Sequence, residues 1–181
     1  FLKWVGGKRQ LISEIKELLP KRRRNLTYYE PFIGGGALLF DLQPKRAIIN
    51  DYNEELINVY RIIRDYPYEL IEDLKRHENT AEYFYKLRAI DRSPAFSNLT
   101  NIQRASRIIY LNKTCYNGLY RVNNAGEFNS PFGKYKNPNI VNAPVIKAVS
   151  KYLKTNDIQI SHGDYESCLN NISPNSFVYL D

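Results

Sequence analysis

Four acidic residues stand where short apolar runs give way to turns. Glu30 follows Thr27-Tyr28-Tyr29, and Asp51 follows Arg46-Ala47-Ile48-Ile49-Asn50. Asp164 follows Ile158-Gln159-Ile160-Ser161 by two residues, and Asp181 ends Phe177-Val178-Tyr179-Leu180-Asp181. Such runs, rich in aromatic and β-branched residues, read as strands. In open α/β sheets the ligand crevice lies outside the carboxyl ends of the strands. One acid there is ordinary; four around one crevice suit a polar ligand with an adenosine part and an amine. Behind Glu30 comes Pro31-Phe32-Ile33-Gly34-Gly35-Gly36, then Ala37-Leu38-Leu39-Phe40, which opens a helix. Three consecutive glycines permit backbone angles and close approaches that a Cβ blocks. Strand, glycine turn and helix together present backbone N–H groups to a nucleotide-like ligand, although a glycine run is also a plain connector. Glu30 faces a ligand hydroxyl or ammonium. Asp51, twenty-one residues after Glu30, is spaced to accept hydrogen bonds from ribose hydroxyls. Leu39 stands where the dinucleotide fingerprint has its third glycine, which argues against NAD and leaves other adenosine-containing cofactors open.

Two further stretches carry chemistry. The opening Phe1-Leu2-Lys3-Trp4-Val5-Gly6-Gly7-Lys8 sets the only tryptophan among glycines and lysines. Trp4 is either a core anchor or a pocket wall, with Lys8 then near a ligand carboxylate or phosphate. The segment from Tyr116 to Asn137 is dense in Asn, Gly, Arg, Lys and Tyr, and includes Asn123, Tyr135 and Lys136. Its Asn117-Gly118 and Ala125-Gly126 pairs signal turns and one or two hairpins. Asn, Arg and Lys read base edges and phosphates, while Tyr stacks or wedges between bases. An ordinary surface hairpin remains the equal alternative. If the Asn-Gly pair makes a rigid tip, Arg121 projects from it toward a base edge, and Lys136 suits a phosphate.

The elements that must position these residues follow an α/β pattern. Leu11, Ile12, Ile15, Leu18 and Leu19 form one helical stripe ended by Pro20. A strand is expected over Thr27–Phe32, a short helix over Ala37–Leu42, and a second strand over Arg46–Asn50. Helices are then expected from Asn53, from Pro67, over Glu82–Ile90 and from Thr100, with no strand between them. That run does not fit simple β-α-β alternation, so residues 55–140 read as an insertion. The α/β pattern returns with a helix over Val145–Leu153, a strand over Ile158–Ser161, a helix over Tyr165–Asn171 and a strand over Phe177–Leu180. Residues 1–54 and 141–181 form the α/β domain.

The chain has 181 residues, 43% of them hydrophobic, which is enough for a packed core. Its 26 Lys and Arg against 19 Asp and Glu leave a net charge of +7, a balance that suits a polyanion. Lys21-Arg22-Arg23-Arg24 reads as a solvated loop. Cys115 and Cys168 are the only cysteines and His77 and His162 the only histidines. No metal-ligand spacing appears, and the isolated cysteines suggest a reducing compartment. No apolar run approaches the ~20 residues of a membrane span. The sequence starts without Met and stops within an apolar run, so it reads as a fragment cut at both ends.

Taken in order, Phe1 to Lys8, Glu30 to Gly36, Asn50-Asp51, Asn117 to Arg121 and Phe128 to Tyr135 closely resemble the Dam-type adenine-N6 DNA methyltransferases, which modify GATC. The resemblance implies a Rossmann-like S-adenosylmethionine domain with a helical and hairpin target-recognition insertion. It implies a cytoplasmic, monomeric enzyme, bacterial or phage-encoded, that flips its target adenine out of double-stranded DNA and needs no metal. Val178-Tyr179-Leu180-Asp181 is similar to the lead-in and first residue of the family's Asp-Pro-Pro-Tyr signature. By that likeness Asp181 is catalytic and faces both the target base and the cofactor's amino end. Trp4 and Lys8 border the cofactor, Phe32 with Gly34 and Gly36 lines its back, and Asp51 holds its ribose. Asp164 and Tyr165 sit at its adenine. Lys3 and Arg121 match base-touching positions, and Leu119 and Pro131 match positions near thymine methyls. Tyr116 and Asn117 match residues that fill the gap left by the flipped base. Lys134 stands where some relatives carry Arg. The alternative is a non-catalytic nucleic-acid-binding module with a degenerate cofactor fold.

Overall fold

The computed structural model describes residues 1–4, 11–20 and 26–181. Four parallel strands form one sheet: β1 (Thr27–Glu30), β2 (Arg46–Asp51), β3 (Asp157–His162) and β4 (Ser176–Val178). Their order across the sheet is β3-β2-β1-β4. The chain therefore steps one way from β1 to β3 and then crosses to the other side of β1. Such a reversal opens a crevice at the carboxyl ends of the two strands flanking it, here β1 and β4. Register is set by pairs such as Tyr29 with Ile48 and with Val178.

β1 is buried along its whole length, as a central parallel strand requires. It stops at Glu30 rather than Phe32, because Pro31 has no N–H to offer the ladder and the chain turns there. β4 ends at Val178, although the Tyr179 N–H still reaches the Tyr29 carbonyl at 2.9 Å. Asp181 thus lies three residues beyond β4.

The helices are α1 (Ile12–Glu17), α2 (Ala37–Leu42), α3 (Glu54–Asp65), α4 (Pro67–Leu74), α5 (Ala81–Arg88), α6 (Asn101–Thr114), α7 (Ala143–Thr155) and α8 (Tyr165–Leu169). Asn53 caps α3 by accepting the Leu56 N–H, Pro67 occupies the first turn of α4, and Thr100 with Gln103 closes a capping box on α6. The expected helix over Glu82–Ile90 is instead α5 followed by a 3-10 turn over Ala89–Arg92.

α3 lies against β2 and β3 and packs on α6 and α7. The main core joins the sheet to these helices through Tyr28, Leu39, Ile49, Leu56, Tyr60, Ile63, Leu70, Ile108 and Leu153. A second, smaller core holds Phe84, Tyr110, Leu111, Cys115 and Phe128 beneath the segment that follows α6. Lys8, Gly6, Gly7 and the basic run Lys21 to Arg24 lie outside the described residues.

Candidate active site and nucleic-acid interface

The glycine turn is held in place from three sides. The Ile33 N–H donates to the Asn50 carbonyl at 2.9 Å and the Gly36 N–H to the Ile33 carbonyl at 2.8 Å. The Tyr60 hydroxyl donates to the Gly34 carbonyl at 3.0 Å. Gly34 and Gly36 take left-handed φ values of 49° and 67°, where side chains are strained. Space is closed as well: a Cβ on Gly34 would lie 2.7 Å from the Trp4 ring, and one on Gly36 would lie 2.6 Å from the Tyr60 hydroxyl. The turn therefore packs flush against Trp4, which is half-buried.

Asp51 braces this turn. Its Oδ2 accepts the Gly34 N–H at 3.0 Å and its Oδ1 accepts the Asn53 N–H at 2.9 Å. One carboxylate thus ties the glycine turn to the start of α3 while keeping lone pairs for a ligand hydroxyl. Asn50, just before it and fully buried, escaped the sequence reading as a site residue. Its Nδ2 donates to the Pro31 carbonyl at 3.2 Å and the Gly163 carbonyl at 2.9 Å, and its Oδ1 accepts the Ser161 hydroxyl. It cross-links the ends of β1, β2 and β3, which is a tertiary arrangement that the residue type alone does not signal.

Glu30 is 4% exposed and accepts the Tyr28 hydroxyl at 2.7 Å. Burial pushes its carboxyl up to about 8, opposed by the Tyr28 hydrogen bond and reinforced by the charge of Asp181. Asp181 and Glu30 also raise Tyr179, after burial. Glu30 and Tyr179 share the mouth between β1 and β4, and Asp181 is near enough for its charge to act on both.

A cleft of about 290 Å³ opens there. It is lined by Trp4, Glu30, Gly34, Gly36, Tyr179 and neighbouring apolar side chains, and also by Lys3 and Asn117. It therefore brings four expected cofactor residues together with two expected DNA residues. Phe32, Asp51, Asp164, Tyr165 and Asp181 are not in its lining. Phe32 and Tyr165 instead form an aromatic pair 5.5 Å apart beyond the turn, with 44% and 42% of their surfaces exposed. Asp164 caps α8 by accepting the Glu166 N–H at 2.9 Å. In sheet order the strand-end acids run Asp164, Asp51, Glu30, Asp181.

The segment after α6 differs from the expected hairpin tip. Asn117 and Gly118 both have positive φ, of 54° and 65°, as an Asn-Gly turn prefers. They close a 3-10 turn over Tyr116–Gly118 instead of joining two paired strands. The strand-like partner comes from further on: the Tyr116 N–H donates to the Pro131 carbonyl, and Cys115 bridges to Phe132. The hairpin proper runs from Arg121 to Asn129, turning at Asn123 to Gly126. Arg121 therefore sits at the open end of the hairpin rather than at its tip, and its Nε donates to Asn129 Oδ1 at 2.7 Å. Asn123 serves the turn, accepting the Ala125 and Glu127 N–H groups at 3.0 Å each.

Tyr116, Leu119, Pro131, Lys134 and Lys136 are exposed beside this hairpin. The Tyr135 hydroxyl accepts the Asn117 N–H at 3.0 Å, so its ring props the 3-10 turn. Asn112, buried on α6, donates to the Lys3 and Gly118 carbonyls and accepts the Lys3 N–H at 3.0 Å. It fastens the N-terminal segment to the turn and is a second positioning residue that sequence reading missed. Below the hairpin, buried Arg107 donates to the Leu87 and Arg88 carbonyls and pairs with Asp91 at 2.8 Å. Asp91 in turn accepts the Phe128 N–H, and Arg92 donates to the Phe128 carbonyl.

A four-stranded parallel sheet with a glycine turn and strand-end acids thus adjoins an Asn-rich hairpin, and Lys3 and Asn117 reach the same cleft as the glycine turn. The chain belongs to the D12 class of N6 adenine-specific DNA methyltransferases, whose family model matches residues 4–181. Enzymes of this class take their methyl group from S-adenosylmethionine. Among similar proteins is the type II methyltransferase M1.LlaDCHI of Lactococcus lactis subsp. cremoris, 47% identical over all of this chain and 64% of its own length. The type II methyltransferase M.MjaIII of Methanocaldococcus jannaschii is 43% identical over all of this chain and 67% of its own. A DNA adenine methylase of Serratia marcescens is 38% identical over 76% of this chain and 50% of its own. The chain thus spans between half and about two thirds of the length of these relatives. Among the described residues no group of His, Cys, Asp or Glu is arranged to hold a metal ion, and no helix is long and apolar enough to cross a membrane.

Proposed function

We propose that this chain carries the donor-binding and target-recognition parts of an enzyme that methylates the N6 amino group of adenine in duplex DNA, within GATC, after flipping the base out. The observation that carries the reading is the cleft at the β1–β4 crevice, where Glu30, Trp4 and the glycine turn meet Lys3 and Asn117. The residues present fit S-adenosylmethionine. The glycine turn lines the cleft, the acids suit ribose hydroxyls and an ammonium, and Phe32 with Tyr165 offers an aromatic wall for adenine. Asp164 stands beside that wall.

When bound, the donor supplies an electrophilic methyl on a sulfonium. Asp181 accepts hydrogen bonds from N6 and concentrates its lone pair. With donor and base in place, that lone pair would face the methyl carbon in line with the carbon–sulfur bond, whose electron pair would leave with sulfur, and N6 would release a proton to solvent. Catalysis is positioning and electrostatics, without a covalent enzyme intermediate.

Residues 1–54 and 141–181 form the donor-binding unit in this reading, and 55–140 the recognition insertion. Lys3 and Arg121 read base edges, Leu119 and Pro131 meet thymine methyls, and Tyr116 and Asn117 fill the space of the flipped base. Asn123, Lys134, Tyr135 and Lys136 lie along the backbone path. The test is Asp181→Ala in the complete protein: methyl transfer should vanish while duplex binding survives. Retention of more than about a tenth of wild-type turnover would remove Asp181 from the chemistry.

A further inference from the structure

Tyr120 lies between the site's two halves. Its ring stacks on Trp4, with centroids 4.7 Å apart and planes at 21°, and meets Phe128 edge-on at 5.6 Å. It packs against both hydrophobic cores, a property it shares with Ile140. On one side, Trp4 is pressed against Gly34 and Gly35, so a ligand seated on the turn meets the indole. On the other, Phe128 is clamped at its N–H by Asp91 and at its carbonyl by Arg92, and it bridges to Val122 in the hairpin. Arg121 shares a peptide bond with Tyr120. Packed aromatic rings shift as a unit, because close-packed interiors leave no slack to absorb a displacement.

We propose that Tyr120 is a positioning residue that couples the donor cleft to the base-reading hairpin, so that methyl donor and duplex bind cooperatively through the Trp4–Tyr120–Phe128 stack. The proposal rests on the reading of the cleft and hairpin given above. Coupling is reciprocal: a donor that orders Trp4 lowers the ordering cost of the hairpin on DNA, and DNA does the same for the donor.

The test uses the full chain, a GATC duplex and S-adenosylhomocysteine, the unreactive product of the donor. Duplex affinity is measured by anisotropy with and without saturating S-adenosylhomocysteine. Wild-type protein should gain about tenfold in affinity, within the usual range of allosteric coupling. Tyr120→Leu should bring that factor to within about twofold of unity while binding each ligand alone. Tyr120→Phe keeps the ring and should retain the factor. A stabilising contact with no part in coupling would change the separate affinities and leave the factor intact. Trp4 adds a readout that needs no variant: duplex alone should alter its fluorescence, since it is the only tryptophan of this chain. An unchanged factor in Tyr120→Leu, a lost factor in Tyr120→Phe, or unchanged Trp4 emission would overturn the proposal. Wild-type protein that binds neither ligand would instead overturn the underlying functional reading.

Discussion

Replacing Asp51 with alanine separates a residue that only holds a ribose from one that also builds the loop around it. Alanine removes both acceptors, so the Gly34 and Asn53 N–H groups, now bonded at 3.0 Å and 2.9 Å, lose their partners. A hydrogen bond to a charged group contributes about 1.5–3 kcal/mol. Asp51 is half-buried and water reaches part of the gap, which puts the loss at the low end for each bond, roughly 3 kcal/mol together. Donor affinity should fall by about 1–3 kcal/mol as the ribose hydroxyls lose a charged acceptor. Asp51→Asn should be intermediate in stability, because its Oδ1 still accepts one N–H while its NH₂ faces the other. Urea denaturation gives the stability change and calorimetry with S-adenosylmethionine gives the affinity change. If Asp51→Ala loses affinity with its stability unchanged within about 0.5 kcal/mol, the bracing role is wrong, since surface changes alone stay in that range.

Three further outcomes follow from the charges and the hairpin. Glu30 titrates near 8 in the fold against an ordinary 4.5, so its contribution to stability is complete below 4.5 and is lost as pH rises through about 8; Glu30→Gln should flatten that alkaline decline in denaturation profiles. His77 is held down to about 4 from 6.5, chiefly by burial, between the Tyr83 and Ser106 hydroxyls at 2.8 Å each, so stability should drop as pH falls from about 6.5 to about 4, and His77→Gln should remove that acid arm. Arg121→Ala should cost about 1–3 kcal/mol on GATC and much less on a duplex altered at the base it reads, whereas Lys136→Ala should weaken all duplexes alike and lower the salt slope by about one; equal loss on every sequence from Arg121→Ala would make it a phosphate contact.

What the sequence made legible is what is decided locally. Ala37–Leu42 forms the expected helix, Asn53 and Thr100 cap as their side chains suggest, and Pro67 opens its helix. Each depends on residues within one turn of chain. The acids at strand ends were legible in part: Glu30 and Asp51 end β1 and β2, whereas Asp181 lies three residues beyond β4, because a run of apolar residues marks a strand without fixing where its ladder stops. The Asn117-Gly118 pair was only half legible. It does impose positive φ on both residues, yet a turn signal does not name the strand that pairs across it, and Tyr116 finds Pro131 instead. The cross-links made by Asn50 and Asn112 were hidden, since both depend on carbonyls more than a hundred residues away. Tyr135 was expected at DNA for its residue type; its hydroxyl also supports the turn under Asn117.

The central claim is methyl transfer to adenine N6, and its most direct measurement is the fate of a labelled methyl group. The complete protein is incubated with S-adenosylmethionine tritiated in its methyl group and with a duplex containing a single GATC, beside a control duplex in which the GATC adenines of both strands are replaced by 2-aminopurine, and the DNA is digested to nucleosides. The account predicts label in N6-methyl-2′-deoxyadenosine from the GATC duplex alone. Label in a cytosine product, or equal labelling of the control, would contradict it.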